Sequence, residues 1–138
     1  MLAAASFITL KWVLRPIWTE GSSMLPTYSA HRLNFVNRLA YSGTPPARGD
    51  VVAIQVAGPN LVYVKRVIGL PGERVAVRAG TVFINDSPLL EPYVKYRRDW
   101  DVPELTLGSG EYFLMGDNRG TSDFGRTEAE RILGKVVF

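Results

Sequence analysis

A chain of 138 residues supports one domain with a modest core and is too short for two full-sized ones. It has no cysteine, which excludes disulfides, thiolate metal sites and a cysteine nucleophile, and its one histidine, His31, has no second imidazole with which to hold a metal. A net charge of +3, from 16 basic and 13 acidic residues, suits anionic lipid as well as nucleic acid and selects neither.

The first stretch, "MLAAASFITLKWVLRPIW", is apolar apart from Lys11 and Arg15 and carries Trp12 and Trp18. It predicts a helix over 2–14, ended by Pro16. At roughly 20 Å such a helix falls short of a hydrocarbon core of ~30 Å. The basic residues follow the apolar stretch instead of preceding it, unlike a cleaved signal peptide. Tryptophans beside basic residues suit a membrane–water boundary. Segment 1–15 is therefore read as a membrane anchor, either the end of a span or an interfacial helix, and 16–138 as the domain it carries.

Residues 20–28, "EGSSMLPTY", set two serines side by side in a run that no periodic structure needs. Strand-like segments follow: "RLNFVNRLAY", "VVAIQV", "LVYVKRVIGL", "RVAVRA", "TVFIND", "EYFLM" and "ILGKVVF" are short and β-branched. Turn-rich pieces such as "SGTPPARGD", "AGPN", "PGE" and "NDSP" separate them. "RTEAERI" (126–132) predicts one short helix. Segment 76–110 reads as hairpins and loop inserted between the stretches richest in chemistry, and its basic cluster "YVKYRRDW" suits an exposed, twisted strand. The expectation is a mainly β domain behind an N-terminal helix.

A serine hydroxyl becomes a useful nucleophile only when a neighbouring group takes its proton. His31, beside Arg32, reads as a surface loop residue, so the alternative base is a lysine kept neutral by burial. Of Lys11, Lys65, Lys95 and Lys135, only Lys65 lies among large hydrophobes, in "NLVYVKRVIGLPGE" with Val64, Val67, Ile68 and Leu70. In a strand, Tyr63, Lys65 and Val67 share a face. That pattern fits an ordinary edge-strand lysine as well as a buried base.

In chain order, "GSSMLPT", "YVKRVIGLPGE" and "GDNRGTS" resemble the signature boxes of the type I signal peptidase family, membrane-anchored serine proteases with a Ser–Lys dyad. "RGDVVAI" (48–54) resembles a further family segment, and the resemblance covers most of 15–134. It implies a signal-peptidase-like β-fold catalytic domain with a short membrane-associated helix. Ser23, immediately before Met24-x-Pro26-Thr27, matches the nucleophile, and Lys65 the general base. Ser122 matches the serine that orients the lysine amine, while Asp117 and Arg66 match residues that pair behind the site. Gly21 stands where some members place a serine in the oxyanion hole, which leaves that role to backbone N–H groups, Ser23's first.

Removal of signal peptides from exported preproteins is the function this resemblance implies, with small residues at the first and third positions before the cut. Ile17, Thr19, Leu25 and Val64 flank the dyad residues and are the expected walls of the shallow pockets. No cofactor or metal is implied. The expected partners are signal peptides and membrane lipid, with no nucleic acid and a monomeric chain. The domain is expected on the outer face of the cell membrane, periplasmic or extracytoplasmic. After Ser122 the family's Asp-Ser-Arg admits two alignments of "DFGRTEAERILG". Without a gap, Phe124-Gly125 replace Asp-Ser and Arg126 keeps the arginine. A short deletion, the preferred alignment, matches Phe124-Gly125 to a later aromatic-glycine pair and leaves Asp-Ser-Arg absent. Two alternatives stand beside this reading: a self-cleaving repressor with the same dyad, and a catalytically inactive β module that binds membrane or nucleic acid.

Overall fold

The computed structural model describes residues 10–59 and 61–137. Its strands are β1 Leu14–Thr19, β2 Arg32–Asn37, β3 Val51–Ala57, β4 Leu61–Gly69, β5 Arg74–Arg78 and β6 Thr81–Ile84. They continue with β7 Ser87–Pro88, β8 Val102–Thr106, β9 Glu111–Met115, β10 Phe124–Glu128 and β11 Ile132–Val136. Seven of them form one sheet in the order β1-β2-β11-β3-β4-β9-β10, and four form a second in the order β7-β6-β5-β8. β1 also touches β4, although three strands lie between them in the sheet order. The large sheet therefore rolls, as right-handed strand twist favours.

Period-2 alternation puts the two faces of this sheet into different cores. Val51, Ala53 and Val64 pack with Ile17, Met24, Val36 and Val136 inside the roll. Their neighbours Val52, Ile54 and Val67 pack with Tyr112 and Leu114 on the other face. A third cluster, with Ile68, Phe113 and Met115 from the large sheet and Val75, Val77 and Val82 from the small one, joins the two sheets. Segment 76–110 is thus most of a sheet of its own, and that sheet begins earlier, at Arg74.

The predicted helix over 2–14 lies mostly outside the described residues, which show helix only at 10–13. Strand β1 begins at Leu14, with Leu14 paired to Asn37 and Arg15 to Val36, so both residues set with the anchor belong to the sheet. Pro16 stops the helix but does not stop the strand. It sits on an edge strand, where its missing N–H removes little from the ladder. Among the described residues, no helix is long and apolar enough to cross a membrane. The helix expected at 126–132 shrinks to a single turn, Ala129–Arg131, because Phe124–Glu128 pairs along its whole length with β9. Pairing has overridden the helical preference of "TEAER".

Candidate active site

A cleft of about 690 Å³ opens where β1 approaches the first half of β4, and Ser23 and Lys65 both line it. The turn that carries Ser23 is fixed from both sides. Met24 is buried in the core inside the roll, next to Ile17 and Val64. Asn118 donates its backbone N–H to the Ser23 carbonyl at 2.8 Å and its side-chain amide to the Ser22 carbonyl at 3.1 Å. The Ser22 hydroxyl meets that of Thr121 at 3.4 Å. Among the described residues the Ser23 hydroxyl has no hydrogen-bond partner, and its backbone N–H makes none either.

Lys65 sits on a gradient of burial. Along its face of β4, Tyr63 is 46% exposed, Lys65 9% and Val67 0%. Val52 is directly opposite it on β3. Among the described residues it has no ion-pair partner. Burial holds its amine below the ordinary lysine range, and the Asp123 carboxylate opposes that only in part. Lys11 and Lys95 are exposed, and Lys135 is paired to Asp50 at 3.0 Å.

The Lys65 amine donates to the Ser122 hydroxyl at 3.3 Å. That hydroxyl also accepts the Gly116 N–H at 2.7 Å and donates to the Asp123 carbonyl at 2.8 Å. A hydroxyl has one proton, and here it points at Asp123, so toward Lys65 it can only accept. A neutral amine that donates one N–H to Ser122 keeps its lone pair for another proton. Only glycine fits at 116, because a Cβ there would overlap the Ser122 hydroxyl and the Ser23 carbonyl.

Behind this group lies a closed ring of charges. Arg66 grips Asp117 through Nε at 2.7 Å and through Nη2 at 2.6 Å, and Thr27 donates to the same carboxylate at 2.5 Å. The Arg66 guanidinium also lies 4.0 Å above the Tyr93 ring, and Tyr93 donates its hydroxyl to Glu91 at 2.9 Å. Glu91 in turn holds both terminal nitrogens of the buried Arg119. Arg119 closes the ring by donating Nε–H to the Gly116 carbonyl at 3.0 Å.

A family model described as signal peptidase, peptidase S26, matches residues 1–138. The chain belongs to the signal peptidase family. It is 36% identical over 137 residues to a signal peptidase I of Bacillus caldolyticus, covering 86% of this chain and 75% of that one. It is 33% identical over 142 residues to signal peptidase I T of Bacillus subtilis, covering 92% of this chain and 74% of the other. A crystal structure of a signal peptidase I from Enterococcus faecalis superposes with a TM-score of 0.57 at 31% identity, covering 68% of this chain and 98% of that one. The mainly β architecture is shared with that signal peptidase.

Within this signal peptidase chain, Ile17, Thr19, Gly21 and Val64 all line the cleft. Leu25 is not among the lining residues, and the buried Met24 is. The turn that presents Ser23 directs its next residue into the core and carries Leu25 past the cleft. Gly21 faces open space, with nothing within 4 Å of where a Cβ would stand. His31 is exposed, at φ 56°, and is not part of the lining. After Ser122 the chain enters β10 at Phe124, and among the described residues Arg126 pairs with Glu111, at 3.9 Å.

The sequence reading assigned no role to Asn118, Gly116, Arg119, Asp123 or Glu91. Four of these lie in or beside the quoted "GDNRGTS", so a signal was present, but their contacts reach back 96 residues in the case of Asn118 and Ser22. Glu91 stands in the stretch taken as an insertion.

Replacing Ser122 by alanine is expected to lower turnover by roughly 10²- to 10³-fold without abolishing it, the loss of one hydrogen bond that holds the Lys65 amine at 3.3 Å. Steady-state cleavage by a variant of unchanged melting temperature measures this, and wild-type turnover would remove Ser122 from the site.

Proposed function

We propose that this chain is a serine endopeptidase that cuts signal peptides from exported preproteins, with Ser23 as nucleophile and Lys65 as general base. The observation that supports this most is a lysine desolvated with no salt bridge among the described residues, held by Ser122 and lining the same cleft as an unbonded serine hydroxyl. Family membership supplies the reaction class.

In this reading Ser23 Oγ attacks the scissile carbonyl carbon as its proton passes to neutral Lys65. The carbonyl oxygen becomes an oxyanion against the Ser23 N–H. Collapse breaks the C–N bond, and the leaving amine takes the proton from the Lys65 ammonium. An ester remains on Ser23. Lys65, neutral again, takes a proton from water as that water attacks the ester. Breakdown of the second tetrahedral intermediate returns the proton to Ser23 and frees the carboxylate. The signal-peptide side lies along Ile17, Thr19 and Val64, where a cleft beside two strands suits an extended chain with small side chains.

Trp12 and Trp18 are 71% and 60% exposed, and Leu33, across from Trp18 in the β1–β2 ladder, is exposed as well. This apolar, Trp-bearing surface beside the cleft supports work at the outer surface of a membrane. Ser23, Lys65 and Ser122 of one chain meet at this site, so the reaction asks for no residue of a second copy.

The test is cleavage of a peptide with alanine at the first and third positions before the cut, run against a Ser23→Ala control with the chain's own integrity followed alongside. Ser23-dependent cleavage of the peptide, with the chain itself intact, supports the proposal. Self-cleavage alone favours a repressor-type enzyme, and no cleavage of either leaves an inactive module.

A further inference from the structure

A second cavity, of about 260 Å³, shares Tyr63, Lys65 and Asp123 with the cleft. Its other walls include Ile54 and Val56 of β3, Leu114 of β9, and Gly125 and Thr127 of β10. Strand register explains why these residues meet. Val52 is paired with Lys65, Ile54 with Tyr63, Val67 with Leu114 and Leu114 with Gly125, so all of them share one face of the large sheet. Ile17 and Val64 of the cleft pack on the opposite face. Lys65 is therefore the junction of two spaces, of which the signal-peptide side needs only the larger.

A cut peptide has two halves. One stays on Ser23 as the ester, and the other leaves as an amine that must collect its proton at Lys65 Nζ. The leaving half therefore passes on the far side of that amine. We propose that the 260 Å³ cavity is the subsite for the first residues downstream of the scissile bond, and that it selects small or apolar side chains there. This rests on the Ser23–Lys65 reading above. Ile54, Val56 and Leu114 give the cavity an apolar wall, and Arg126 and Arg131 line it against the single Asp123 carboxylate, so a cationic side chain would lose hydration there without compensation. Two large side chains at its edge, Tyr63 and Phe124, remain 46% and 42% exposed, apolar surface that a docked chain would cover. At Gly125 the wall is open, with nothing within 4 Å of a Cβ position, so a peptide backbone can come close.

The experiment uses two substrates identical up to the cut, one continuing for five residues that begin with leucine and one ending as a methyl ester. Gly125→Leu places a side chain in the cavity from its open wall, and Thr127→Leu does so from the same face of β10. In either variant, kcat/KM for the long peptide relative to the ester is expected to fall roughly tenfold or more, at a melting temperature within a few degrees of wild type. The full-length wild-type chain gives an independent measurement. A long peptide with leucine first after the cut should be cleaved roughly tenfold faster than one with lysine there, as expected for an apolar pocket whose charged lining is mostly cationic.

An unmoved ratio in a folded variant, equal loss of both substrates, or equal rates for leucine and lysine would each overturn the subsite. If the wild type cleaves both substrates in a Ser23-dependent way, such a result leaves the proposed function standing. If it cleaves neither, the function falls and takes the subsite with it.

Discussion

A Lys65→Arg variant folds and does not turn over. Guanidinium keeps its proton under all conditions in which a protein stays folded, so it cannot accept one from Ser23. The loss expected is at least about 10⁴-fold, comparable with the removal of a catalytic base elsewhere. Lys65→Met is equally inactive but more stable at neutral pH, because it keeps the apolar stem and takes away a charge that burial disfavours. The sign follows from the direction of the shift. The amine titrates at 10.5 when unperturbed and lower in the fold, so protonation costs nothing in stability above 10.5. The cost grows as pH falls toward the folded value and is constant below it. Turnover runs the opposite way and climbs with pH through the folded value. Asp123 raises that value, so Asp123→Asn should move the ascending limb to lower pH. Substantial neutral-pH turnover by Lys65→Arg would end the Ser–Lys mechanism, and an ascending limb unmoved in Asp123→Asn would deny Asp123 its influence.

Ser23→Ala is the second large loss, again roughly 10⁴-fold or more in kcat, with the fold intact. Among the described residues the Ser23 hydroxyl has no hydrogen bond to forfeit, and the contact that matters to the turn is the main-chain bond from Asn118, which alanine keeps. Ser22→Ala gives up only a 3.4 Å hydroxyl contact to Thr121 and should stay within a few-fold of wild type. Single-turnover cleavage beside a thermal melt separates the two. Equal loss from both serines at wild-type stability would mean that the nucleophile has been misplaced.

Local pattern carried much of this into the sequence. Alternation alone put Tyr63, Lys65 and Val67 on one face, and short β-branched runs marked most of the strands. Alternation did not say that Tyr63 would stay wet while Val67 is sealed, which is what makes a lysine between them useful as a base. That depends on where β9 stops pairing with β4: the ladder ends at Arg66, one residue short of Lys65. The pairing of Asn118 with the Ser23 turn was equally out of reach, because it is set by sheet order and not by neighbours in the chain. Proline misled at the N-terminus. Pro16 rightly ended a helix, yet an edge strand accepts it, and so the domain begins sooner than the apolar run suggested. Leu25 misled for a related reason, since adjacency to a serine in a tight turn says little about which neighbour faces the cleft.

The ring that joins Asp117, Arg66, Tyr93, Glu91 and Arg119 also limits how this enzyme can be shortened or spliced. The small sheet carries no dyad residue, which makes it look like a part that could be trimmed or exchanged. Yet it leads into the segment that delivers Glu91 to Arg119, and Arg119 is 2% exposed. A one-residue change of length immediately before Glu91 would strand a guanidinium in the interior at a cost of about 3–5 kcal/mol. That is a large share of the ~5–15 kcal/mol that holds a typical domain together. Variation in loop length is therefore cheap at the β6–β7 tip, where Asn85 and Asp86 are exposed, and prohibitive from Leu89 to Tyr93. The two sheets share one core, and a graft that respected only the serine and lysine boxes would carry over the reactive groups without the frame that aims them.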